Sequence, residues 1–126
     1  MKINYFVKYW LPVIIYIVFI YYLSSLSNPL EQIVPEKALI YFDFQYFIYH
    51  IIEYAILSLL FYRALKFTSK NPQTSTILFT ILYAITDEIH QSLVQGRSSD
   101  VFDIGLDSFG AIVMQCVINI YNFIKD

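Results

Sequence analysis

Residues Tyr9–Leu30 read YWLPVIIYIVFIYYLSSLSNPL, without one charged side chain. A bilayer core takes about 20 apolar residues per helix, and this run supplies them. Lys2 and Lys8 ahead of it imitate the start of a signal peptide. A signal core, however, spans roughly 7–15 residues and ends at a small-residue cleavage site. This run is longer, and no A-x-A sequence follows it. The expectation is an uncleaved transmembrane helix over Tyr9–Leu26. Pro12 would fall in its first turn, where a missing amide hydrogen does no harm, and Ser27-Asn28-Pro29 would end it.

The rest of the chain follows the same composition. Of 126 residues, 58% are hydrophobic and 14% charged, against about 25% charged in a typical soluble domain. A chain of this length forms one domain, and it lacks the polar surface to dissolve that much apolar area. Three more spans fit: Tyr46–Leu65, Thr74–Val94 and Val101–Ile124. The predicted fold is all-α, a polytopic bundle of four transmembrane helices. Gln95-Gly96-Arg97-Ser98-Ser99 reads as a polar turn between the third and the fourth. Tyrosines and phenylalanines lie through the spans and at several of their ends, as in interfacial aromatic belts.

Composition excludes several function classes. The net charge of −2 and the absence of a basic stretch give nucleic acid no phosphate footprint. The single cysteine, Cys116, rules out an intrachain disulfide and a Cys-based metal cage, and reads as a small apolar filler within a helix. Lysine and arginine set the expected orientation. Lys2, Lys8, Arg63, Lys66, Lys70 and Lys125 fall on one side if the helices alternate, and only Lys37 and Arg97 on the other. Both termini are therefore expected in the cytoplasm. The loop from Ser27 to Gln45, carrying Glu31, Glu36 and Asp43, would face outward with the turn around Arg97.

That topology gathers the ionisable residues. His50 and Glu53 lie near the outer end of the second span. Asp87, Glu88, His90 and Gln91 lie in the last turns of the third, and Asp100, Asp103 and Asp107 open the fourth. At a rise of 1.5 Å per residue, all sit within roughly 10 Å of the same end. His50 and Glu53, three apart, share a face with Tyr46 and Tyr54 beside them. Asp87, His90 and Gln91 share another, and the three aspartates follow i, i+3, i+7. Each charge costs about 2.5–3.5 kcal/mol at the centre of a membrane helix, so the stripes should turn inward and meet in a wet polar pocket. Plainer roles exist for each. Asp100 and Asp103 suit a helix N-terminus, and Asp107 lies too deep for that. Glu88 suits a solvated helix end, His50 with Glu53 a structural pair, and Arg97 a loop charge. Arg63, Lys66 and Lys70 suit topology anchors.

Such a pocket could carry general acid–base chemistry on crowded carboxylates. It could hold a divalent cation such as magnesium or calcium among oxygens, or a transition metal on His50 or His90 with acids. The segment His50-Ile51-Ile52-Glu53 lacks the second histidine of a zinc-protease motif, and no elbow surrounds Ser92, Ser98, Ser99 or Ser108.

The run Tyr83-Ala84-Ile85-Thr86-Asp87-Glu88-Ile89-His90-Gln91-Ser92-Leu93-Val94-Gln95-Gly96-Arg97 resembles the signature of VanZ-like membrane proteins, an Asp-Glu-x-x-Gln helix end followed by a Gly-Arg turn. His50-Ile51-Ile52-Glu53-Tyr54 resembles the family's H-x-x-E-Y segment. Leu23-Ser24-Ser25, the aspartates of the last span and Gly110-Ala111 are similar too. Gln95 departs from a common proline and Asp107 from a common asparagine. The resemblance implies a multi-pass protein of the bacterial cytoplasmic membrane, in a family named for a protein linked to low-level resistance to the glycopeptide teicoplanin. Two functions compete. The first is an enzyme on an envelope or lipid-linked substrate, with His50, Glu53, Asp87, Glu88, Gln91, Asp103 and Asp107 as candidate catalytic or metal-binding groups. Tyr54, His90 and Arg97 would bind its substrate, Arg97 through the planar fork that suits phosphate. The second is a non-enzymatic factor that changes antibiotic access or binds another envelope protein. A proton or ion path is disfavoured, because the inner halves of the spans lack a second polar cluster.

Overall fold

Pro12 lies inside its helix rather than at the start of one. The first helix, α1, is continuous through an α turn Lys2–Tyr5, a π-helical turn Phe6–Trp10 and an α segment Leu11–Ser25. A proline inside a helix removes one hydrogen bond and pushes its ring against the carbonyl four residues back. The π turn, where the Leu11 amide donates to Phe6 O, widens the helix immediately before Pro12, and such turns accommodate an interrupted ladder without ending it. The expected first-turn placement of Pro12 is thereby corrected, because helix begins at Lys2.

The computed structural model describes residues 2–26, 36–97 and 99–126, and for residues 2 and 36–43 the backbone alone. The expected stop at Ser27-Asn28-Pro29 and the loop residue Glu31 lie outside the described residues. Helix α1 closes at Leu26, whose extended backbone places its amide on Leu23 O. Three further helices follow: α2 (Glu36–Leu65), α3 (Pro72–Leu93) and α4 (Val101–Lys125). Much of the expected Ser27–Gln45 loop is therefore helix, since α2 starts ten residues before Tyr46. Among the described residues no strand occurs.

Side-chain pairing fixes the directions. Tyr5 donates to Ala64 O and Tyr16 to Glu53 O, so α1 and α2 run antiparallel. Tyr83 donates to Ile17 O and Gln91 to Ser24 Oγ, so α3 runs parallel to α1. Helices α2 and α4 are parallel and in register: Tyr46–Asp103, His50–Asp107 and Ser58–Gln115 are each 57 residues apart. They also approach closely, because a Cβ on Gly110 would lie 2.3 Å from Ile51 O. Small residues at a crossing let helix backbones meet in this way.

The bundle is apolar outside and partly polar inside. Leu78, Leu82 and Ile89 of α3 and Phe109, Val117 and Ile120 of α4 are exposed, while Asp87, Gln91, Asp103, Asp107 and Gln115 are buried. Val13, Ile20, Leu57, Phe61 and Ala84 form the apolar part of the core. Among the described residues three helices are long and apolar enough to cross a membrane: Ile3–Ser25, Phe44–Leu65 and Val101–Lys125. Helix α3 is not among them. Its polar face (Thr76, Thr80, Asp87, Glu88 and Gln91, all buried) lowers its hydropathy although its outward face is apolar.

Candidate functional site

At the end of the bundle where α1 and α3 finish and α4 begins, the buried polar groups form cross-helix pairs. Successive turns of α2 present Tyr46, His50, Tyr54 and Ser58, spaced by four so that they share one face. Tyr46 donates to Asp103 Oδ2 at 2.9 Å. His50 Nδ1 meets Asp107 Oδ1 at 2.7 Å with both groups buried. Tyr54 donates to Asp87 Oδ2 at 3.0 Å. Lower down, Gln115 donates to Ser58 Oγ, which donates to Ala111 O. On the other side of Asp87, Gln91 donates to the same Oδ2 and to Ser24 Oγ, tying α1 to α3. Buried polar groups need such partners, since each unpaired one costs about 1–3 kcal/mol. Asp87 Oδ1 and Gln91 Oε1 stay buried with no partner among the described residues.

Several residues take places different from those the sequence suggests. His50 does not pair with Glu53; its ring reaches across to Asp107. Glu88 is not a solvated end but is buried and accepts the amide of Asp100 at 2.5 Å, fixing the start of α4 against the end of α3. Asp100 is an N-cap, accepting from the Phe102 amide at 3.0 Å. Asp103 is buried on Tyr46 instead of capping. His90 stands apart from the acids, stacked on Tyr21 at 4.3 Å with Nε2 at 2.9 Å from Ser25 Oγ. Arg97 turns back over the end of α1, its Nη1 donating to Leu23 O and Leu26 O. A cation there complements the negative end of the helix dipole. Gly96 permits that turn with a φ of 82°, a conformation glycine adopts readily. Among the described residues the expected single cavity thus resolves into a paired network with an open cleft beside it.

That cleft has a volume of about 380 Å³ and lies between α1 and α2. Tyr16, Tyr46, His50, Glu53 and Arg97 supply its polar wall, and Phe19, Leu23, Tyr49, Ile52 and Ile56 its apolar one. Among the described residues the Glu53 carboxylate makes no hydrogen bond, although its main-chain oxygen holds Tyr16. With Asp107 ionised and accepting, His50 donates through Nδ1–H, and in the neutral imidazole Nε2 is then the acceptor nitrogen. The arrangement is that of an imidazole oriented by a buried acid, which can take a proton at its far nitrogen. Glu53 can supply or receive another, and the nitrogens of Arg97 not committed to α1 can meet an anion. No three of the histidine, cysteine, aspartate and glutamate residues converge as metal ligands among the described residues, because each buried acid already faces a separate donor. Tyr16 and Gln115 were not among the expected site residues. Gln115 could have been found as an amide eight residues beyond Asp107 in an apolar span, whereas Tyr16 carries no such signal.

No curated protein and no solved structure matches the chain. A family model described as VanZ/LLP1 matches residues 8–122. With that match spanning nearly the whole chain, and with three helices able to cross a bilayer, the chain is a membrane protein that belongs to the VanZ/LLP1 family.

Proposed function

We propose that the protein is a single four-span domain of the bacterial cytoplasmic membrane, with both termini inside, that performs acid–base chemistry on an envelope or lipid-linked substrate. The observation that carries this reading is the cleft between α1 and α2, where the Asp107-oriented His50 and the unengaged Glu53 carboxylate share one wall with Arg97. His50 Nε2 takes a proton from water or a substrate hydroxyl as that oxygen bonds to the reacting centre, Glu53 in its protonated form gives one to the oxygen whose bond to that centre breaks, Arg97 meets an anionic group, and solvent returns the proton from His50 to Glu53. Asp87, Gln91, Asp103 and Tyr54 act behind them by holding α2, α3 and α4 in register, and Glu88 by fixing the start of α4. His90 belongs to the α1–α3 contact. For α3, the exposed Leu78, Leu82 and Ile89 support a fourth crossing, since its polar face is satisfied inside the bundle. The six-to-two bias of lysine and arginine supports the orientation.

The test is a profile of lipids and cell-wall precursors in cells with the gene, without it, and with Glu53→Gln at matched protein level. Accumulation of one precursor in both the deletion and the variant is expected. Unchanged pools in both would overturn the reading.

A second reading has its own observation: most of the acids are already paired, Asp107 with His50, Asp103 with Tyr46 and Asp87 with Tyr54 and Gln91. A network so satisfied serves a non-enzymatic factor that alters access of lipophilic glycopeptides or binds another envelope protein. Teicoplanin susceptibility separates the two. The second reading requires a difference between deletion and wild type that survives Glu53→Gln at matched protein level.

A further inference from the structure

The cleft is built differently on its two sides. Its inner wall is polar, with Tyr46, His50 and Glu53 on the face of α2 turned toward the bundle. Its rim is apolar and faces outward: Phe19 is 49% exposed, Ile52 50% and Ile56 39%. On helices long and apolar enough to cross a bilayer, an apolar rim suits entry from the side. Along α2 the lining runs from Tyr46 to Ile56, about 15 Å at 1.5 Å per residue. That equals roughly one leaflet of a hydrocarbon core about 30 Å thick. At about 380 Å³, the space lies near the low end of the roughly 300–1,000 Å³ of ligand sites. It takes a small head group with the first part of one chain.

We infer that the occupant is a single-chain amphiphile with an oxyanion head group, which enters sideways from the adjoining leaflet between α1 and α2. The inference rests on the acid–base reading of this cleft and adds the substrate class and its route. Among the described residues Arg97 is the cation of the lining, and its Nη1 is held by Leu23 O and Leu26 O. The rest of its guanidinium edge therefore meets the anion in a fixed direction. His50 and Glu53 line the same wall and suit the ester or hydroxyl oxygens beside that anion. The chain leaves over Ile52 and Ile56 and stays in lipid, so its length is not read by the protein.

The experiment uses the full chain in lipid nanodiscs with a decyl phosphate carrying a terminal diazirine, and a decyl trimethylammonium of the same design as control. Light-driven labelling is mapped by peptide mass. The phosphate probe should label segments around Phe19 and Ile52–Ile56. Excess unlabelled decyl phosphate should reduce that labelling about tenfold, whereas inorganic phosphate should not. Ile52→Trp, on the exposed rim, should block it at unchanged melting temperature. If that variant is unstable, Ile56→Trp gives the same reading from the other side of Glu53. Equal labelling by the ammonium probe, labelling of the lipid-facing Val117–Ile120 surface as strong as at the cleft, or competition by inorganic phosphate alone would overturn the inference. Specific labelling without change in any precursor pool would retain the inference and remove the chemistry. Altered pools with no cleft labelling would do the reverse.

Discussion

Glu53 and His50 are separated by one turn of α2, yet their surroundings assign them opposite sensitivities. His50 is buried against Asp107 at 2.7 Å, and removing one partner of such a pair strands the other at a cost of about 3–5 kcal/mol. Asp107→Leu should therefore lower the thermal midpoint of the purified protein sharply, read by tryptophan fluorescence in detergent. His50→Leu combined with Asp107→Leu should recover part of the loss. Glu53 has no side-chain partner among the described residues, so Glu53→Gln should change stability by no more than about 0.5 kcal/mol while abolishing the effect on precursor pools. A loss of stability in Glu53→Gln as large as in Asp107→Leu would show that its carboxylate is structural. At this scale the sequence is legible only in part. The shared face of Tyr46, His50, Glu53 and Tyr54 follows from helical spacing, and so does the depth of Asp107. Which acid His50 selects does not follow, because i, i+3 proximity within a helix competes with a neighbour whose register no single chain segment encodes. Arg97 shows the same limit: its partners are main-chain oxygens of α1, more than seventy residues away, and carbonyls leave no mark in a sequence.

Helices α2 and α4 show how an element is positioned by one small residue and a repeated offset. The pairs Tyr46–Asp103, His50–Asp107 and Ser58–Gln115 repeat every four or eight residues on both helices, so a shift of either by one residue would break all three. Gly110 allows the approach that this register needs, with Ile51 O 2.3 Å from where a Cβ would stand. Gly110→Ala should force the backbones apart and destabilise by about 1–3 kcal/mol, whereas Gly105→Ala, with nothing within 4 Å, should be neutral or stabilise by up to about 1 kcal/mol. Parallel melting curves of the two variants check this, and equal behaviour would mean that the crossing is not tight. The family resemblance singles out Gly110, but only the packing shows that its small size is what the crossing needs. The bounds of α1 and α2 were likewise hidden for physical reasons. Pro12 reads as a helix start because a π turn that absorbs it has no composition of its own. The ten residues before Tyr46 read as loop because their charges mask their helical continuity.

For the molecule as a whole, the open matter is what α3 does, since polarity has moved to its inside face. A soluble helix with five buried polar residues and an apolar outer stripe would be inverted; inside a bilayer that arrangement is the expected one, because lipid rewards the stripe and neighbouring helices satisfy the polar face. The packing makes α3 parallel to α1, and this supports the proposed fourth crossing. Asn71 precedes α3 and Ser99 precedes α4, and both are exposed. In a Cys116→Ser background, Ser99→Cys should react with a membrane-impermeant maleimide in intact cells, and Asn71→Cys only after permeabilisation. The expected order follows from the proposed orientation, in which Lys66 and Lys70 adjoin Asn71 while Arg97 alone adjoins Ser99. The reverse pattern would keep four crossings and invert the orientation, moving the cleft to the cytoplasmic leaflet. Equal labelling of both sites from outside would mean that α3 returns to the side from which it entered, and the parallel packing of α1 with α3 would then not exist in the membrane.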